Sequence, residues 1–130
     1  MNKNEADTRP LSPHLTIYRP QNTSILSILH RLTGIALMVP SMAIVALVLT
    51  IPMGPKYFEL LVYFFSTIFG KFLLVLSLWG IIYHTLTGIR HLVWDSGRGI
   101  ELKWVNISSW LIIIGSILLS GLVIFLLESS

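Results

Sequence analysis

His84 lies inside an apolar stretch, Trp79-Gly80-Ile81-Ile82-Tyr83-His84-Thr85-Leu86-Thr87-Gly88-Ile89-Arg90-His91, where water is scarce. An ionisable side chain at such depth costs free energy and by default marks a functional site. On a helix, Gly80, His84 and Gly88 fall at i, i+4 and i+8. The imidazole then projects from a stripe that is bare one turn above it and one turn below. Such a groove could seat a flat macrocycle whose iron takes the ring nitrogen as an axial ligand. A histidine bonded to a neighbouring helix, with glycines for close packing, fits the same spacing.

A second cluster carries Ser27, His30, Arg31 and Gly34 at i, i+3, i+4 and i+7, hence on one helix face. A hydroxyl, an imidazole and a guanidinium together offer donors to carbonyl oxygens or carboxylates, and arginine can fork two bonds onto a carboxylate. The alternative is a helix start with Arg31 snorkelling to lipid phosphate. His91 lies two turns beyond His84 on the same face, and Asp95 follows at i+4. From His84 to Arg90 is six residues, about 9 Å along a helix axis. A macrocycle held at His84 could therefore hang its propionates toward His30, Arg31 and His91. The two clusters read as one site shared by two helices.

The elements that position these residues are read from the charges. Of 130 residues only 12% are charged, against about 25% in a soluble domain, and the mean hydropathy is +0.78. Three runs hold no charge: Leu32 to Ile51, Phe72 to Ile89 and Val105 to Leu127. Each is long enough to cross, or nearly cross, a hydrocarbon core of about 30 Å. The expected fold is an all-α membrane protein with transmembrane helices over residues 25–51, 66–93 and 105–127. Residues 1–24 form an N-terminal segment, 52–65 an outer connection and 94–104 a second connection. Tyr57 to Gly70 is aromatic and apolar, and could lie in the interface or extend the second helix.

Seven basic residues (Lys3, Arg9, Arg19, Arg31, Arg90, Arg98, Lys103) fall on one side of this layout, against Lys56 and Lys71 on the other. The positive-inside rule then places the N-terminus and the second connection in the cytoplasm. This topology accounts for the pI of about 9.5, so nucleic-acid binding is not needed to explain it. Trp94, Trp104 and Trp110 read as an interfacial belt, Lys71 as a snorkelling anchor, and Ser116 with Ser120 as a packing pair. The first apolar run starts too late and is too long for a cleavable signal peptide. With Glu5, Asp7 and few arginines, the N-terminal segment is a poor transit peptide. A bacterial inner membrane is expected, or the mitochondrial inner membrane for an organelle-encoded chain. The absence of cysteine excludes a thiolate-held Fe–S cluster, c-type haem attachment and disulfides in this chain.

Three motifs together carry a resemblance: Arg9-Pro10-Leu11-Ser12-Pro13-His14 through Tyr18-Arg19-Pro20; Ser27-x-x-His30-Arg31-x-Thr33-Gly34; and His84-x-x-x-Gly88-Ile89-Arg90-His91-x-x-Trp94-Asp95-x-Gly97. In order and on the expected helices, they resemble the cytochrome b556 anchors of succinate dehydrogenase, in the alphaproteobacterial and mitochondrial branch. No motif position departs from the pattern. The resemblance implies that His84 is an axial ligand of haem b and that Ser27 and Arg31 line a ubiquinone site. It places His30 and Arg31 near the haem propionates. It further implies a flavoprotein subunit, an iron–sulfur subunit and a second three-helix anchor supplying the other haem ligand. Succinate oxidation would then occur in the soluble partners, and this chain would not be catalytic alone. His91 or Asp95 could help supply protons, a surface ion pair of Asp95 with Arg90 or Arg98 being the preferred reading. A quinol:fumarate reductase anchor, a haem-free structural anchor and a proton-relay subunit remain alternatives. Against a transporter, there is no inverted repeat, and no broken mid-membrane helix is expected.

Overall fold

A computed structural model describes residues 21–129; the motif over residues 9–20, with His14, lies outside the described residues. Five helices follow in order: α1 (Asn22–Ala36), α2 (Met38–Met53), α3 (Pro55–Ser66), α4 (Ile68–Asp95) and α5 (Leu102–Glu128). Among the described residues there is no strand.

Helices α1 and α2 together make one apolar span of 32 residues, Asn22–Met53. Where one unbroken helix was expected, it is interrupted at Leu37, because Pro40 has no N–H to give the carbonyl four residues back. Ser41 partly repairs the break, donating through its backbone N–H and its Oγ to the Leu37 carbonyl at 3.2 and 2.9 Å. Helices α4 and α5 supply two more spans of 28 and 27 residues.

Between these spans, α3 starts with Pro55 at its first turn, where a missing N–H does no harm. It ends at Thr67, whose backbone turns to an extended ψ of 159°. Thr67 caps both elements: its Oγ1 donates to the Phe64 carbonyl at 2.6 Å and accepts from the Gly70 N–H at 3.2 Å. The bend is tight enough that a Cβ on Gly70 would land on the Phe64 carbonyl and the Phe65 Cα. The Tyr57-to-Gly70 stretch is thus a separate short helix joined to α4 through a capped break.

The interior lies where α1, α4 and α5 meet, around Leu26, Tyr83 and Ile112, with Leu29, Trp79, Leu86 and Ile113 packed beside them. Tyr83 has 1% of its surface exposed, and its hydroxyl donates to the Leu26 carbonyl at 3.2 Å. Helix α5 faces this interior with small side chains: Ser109, Ser116 and Ser120 are all buried. Each returns its hydroxyl to its own helix, on Val105, Ile113 and Ser116 respectively. No hydroxyl is left unsatisfied in an apolar setting, and the backbones can approach closely. The outward faces are apolar throughout, with Leu111, Leu118 and Leu127 each exposing two thirds or more of their surface. Water would not tolerate so continuous an apolar face; lipid does.

Replacing Ser116 with Leu is expected to overpack this seam and cost about 1–3 kcal/mol. Leu118→Ala, on an outward face, should be close to neutral. Thermal unfolding of the detergent-solubilised protein measures both.

Candidate functional site

The registry of α1 against α4 builds the site. One residue after the Tyr83–Leu26 bond, and one turn along α1, Nδ1 of His84 lies 3.2 Å from the His30 carbonyl. A carbonyl only accepts, so Nδ1 carries the proton and donates. The Thr33 hydroxyl donates to the same carbonyl at 2.9 Å and turns a lone pair toward Nδ1 at 3.3 Å. Both hydrogen-bonding contacts of the ring therefore fall on Nδ1, leaving Nε2 with its lone pair. An imidazole held this way has its tautomer and direction fixed, as metal-binding histidines generally do.

Gly34 makes room for the ring: a Cβ there would sit 3.0 Å from Cε1 of His84. Thr33 and Gly34, part of the sequence motif but with no role assigned from it, thus hold and clear the imidazole. The expected bare stripe is half as described. A Cβ on Gly88 would meet nothing within 4 Å, whereas one on Gly80 would touch Leu37 at 3.7 Å. The open side of His84 is the side of Gly88.

Three imidazoles gather here. The His30 ring stacks on His84 with centroids 4.1 Å apart and planes 22° apart, and His91 lies 5.2 Å from His30. The two sequence clusters thus meet, as one site shared by α1 and α4. Nε2 of His30 is buried and has no hydrogen-bond partner among the described residues. An orphaned buried nitrogen of this kind is rare and points to a missing partner. Ser27 is half-buried and Arg31 exposed, on the same stretch of α1.

Two residues stand elsewhere than expected. Arg90, counted among the charges outside the bilayer, has 5% of its surface exposed and turns inward to α5, where Nη1 donates to Ser109 at 2.9 Å. It forms no surface ion pair with Asp95, which is exposed. Trp94, expected as an interfacial anchor, is instead a platform. The Arg90 guanidinium lies 4.4 Å over its ring, His91 meets it edge-on at 5.4 Å, and its indole N–H donates to the Gly99 carbonyl at 3.2 Å. Trp104 and Trp110 are exposed, as anchors would be. No group of three metal-ligating side chains occurs among the described residues; the site offers single nitrogens.

The architecture and the site define a multi-pass membrane protein that presents one oriented imidazole between two helices. A model of the succinate dehydrogenase/fumarate reductase transmembrane subunit matches residues 5–123, and the chain belongs to that family. It is 46% identical to the succinate dehydrogenase cytochrome b556 subunit of Rickettsia prowazekii, over 88% of this chain and 89% of the relative. It is 37% identical to the subunit of the same description from Paracoccus denitrificans, over 88% of each. To the mitochondrial cytochrome b560 subunit of Mus musculus it is 39% identical, over 92% of this chain and 72% of the relative. With these bacterial relatives and three helices able to span a bilayer, it is a multi-pass protein of the bacterial inner membrane.

Gly34→Ala is expected to push the His84 ring off its carbonyl, while Gly88→Ala leaves it in place. Nitrogen NMR of histidine-labelled protein reads the change at His84 Nδ1.

Proposed function

We propose that this chain is a membrane-anchor subunit of succinate:ubiquinone oxidoreductase that ligates haem b through His84 and forms part of the ubiquinone-reduction site through Ser27 and Arg31. The observation that carries the reading is the His84 Nδ1 bond to the His30 carbonyl, which leaves Nε2 as a coordinating nitrogen. The surroundings suit a haem. Gly34 clears the ring, Gly88 opens onto free space, and the unpartnered Nε2 of His30 lies at stacking distance from His84. That nitrogen, the exposed Arg31 and His91 would meet the propionates. When bound, haem b would supply a one-electron centre, held by His84 together with a partner anchor of three helices.

Ser27 and Arg31 do different work. Arg31 presents an exposed guanidinium on α1, and Ser27 a hydroxyl one turn away. Together they bond a quinone carbonyl and stabilise the negative charge that develops as electrons arrive. The flavoprotein and iron–sulfur subunits carry succinate oxidation, because this chain has no thiolate to hold a cluster. Basic residues gathered at one end of the spans orient that end, and the partners it holds, toward the cytoplasm. The family description also covers fumarate reductases; the relatives' names favour the dehydrogenase.

In the assembled complex, His84→Leu is expected to abolish or alter the b-type absorption of the reduced-minus-oxidised spectrum; an unchanged spectrum would falsify the ligand assignment. Arg31→Leu should lower quinone reduction by on the order of a hundredfold, as loss of an oxyanion donor does. Oxidation of succinate by an artificial acceptor at the flavin should persist. Equal loss of both activities points to failed assembly instead.

A further inference from the structure

Arg90 is the one strongly buried charge among the described residues, and the proposed haem and quinone sites make no use of it. Its guanidinium stays protonated at any physiological pH. Nη1 rests on a neutral hydroxyl, Ser109, and one face rests on Trp94. Nε and Nη2, the edge that forks onto a carboxylate, have no partner among the described residues. Among the described residues the charge is therefore solvated by neutral groups, and no counter-ion cancels it. Water and salt, which screen an exposed arginine, do not reach it.

This cation lies six residues from His84 on one rigid helix, about 9 Å along the axis. It is also linked to the imidazole stack through Trp94, which contacts both Arg90 and His91, and His91 meets His30. We infer that Arg90 is a positioning residue that sets the reduction potential of the haem held at His84. The inference rests on the haem reading given above. Reduction adds one electron and removes one unit of positive charge from the iron centre, so a fixed cation nearby favours the reduced form. With the two side chains turned to different sides of α4, a charge separation of about 10–15 Å and an effective dielectric constant of about 20 give a bias on the order of tenfold in the reduced-to-oxidised ratio.

The test is an optical redox titration of haem b in the assembled complex, with haem content measured alongside. Two variants separate charge from packing. Arg90→Lys keeps the cation and should hold the midpoint near that of the unmodified protein. Ser109→Asp keeps the guanidinium, gives it a carboxylate 19 residues along the chain where the hydroxyl now bonds, and cancels the charge. It should shift the reduced-to-oxidised ratio about tenfold toward oxidised, a fall of about 59 mV for one electron. Haem-loaded Ser109→Asp with an unchanged midpoint overturns the inference. So does loss of haem from both variants, which would make Arg90 a packing residue alone. Absence of a b-type haem from the unmodified complex sinks the earlier reading instead.

Discussion

Two carbonyls of α1, those of Leu26 and His30, each accept a bond from α4, from Tyr83 and His84 in turn. Both carbonyls are one turn apart, and both donors are adjacent in sequence, so the pair fixes the axial registry and the rotation of one helix on the other. Everything placed between the helices follows from this. In lipid no water is available to replace a lost partner, which makes such a bond more selective than strong. The packing around it is small or aromatic: Tyr83 fills the junction with α5, while Gly34 yields space to the imidazole. Shifting α4 by one residue would turn His84 about 100° away from its carbonyl.

The site is polar on few atoms and asymmetric. Nδ1 of His84 is committed, Nε2 is free for coordination, and the side toward Gly88 is open. His30 acts twice, through its carbonyl as the anchor of His84 and through its ring as the stacking neighbour. On the proposed function, a chain built this way contributes one half of a coordination sphere and one wall of a pocket. Membership in a family of transmembrane subunits agrees with such a division.

The three spans were legible because charge is scarce and sharply bounded, and bilayer thickness converts such runs into helices with little ambiguity. His84 was legible as an ionisable group where none should be. That His30 and His91 share its site was legible too, from two clusters at one depth; the stacking of their rings was not, because spacing gives the face of one helix but not its registry against another. Arg90 was misplaced for a related reason: counting positive residues locates the ends of spans and says nothing of the direction a side chain takes. Its inward turn depends on Ser109, 19 residues away. The breaks at Leu37 and Thr67 show a graded case. Pro40 signals the first, while the second follows from a threonine cap that sequence leaves ambiguous with a continuous apolar run.

The inward turn of Arg90 also bears on how the chain enters a bilayer. Alone in lipid, α4 would expose a guanidinium, at a cost of about 2.5–3.5 kcal/mol if it lay near the centre. Trp94 shares α4 with the arginine, but Ser109 lowers that cost only once α5 lies alongside, and the short connection of residues 96–101 keeps α5 within immediate reach. The last two spans are thus suited to partition together, as a helical hairpin, with the arginine sealed between them before either meets acyl chains unaccompanied.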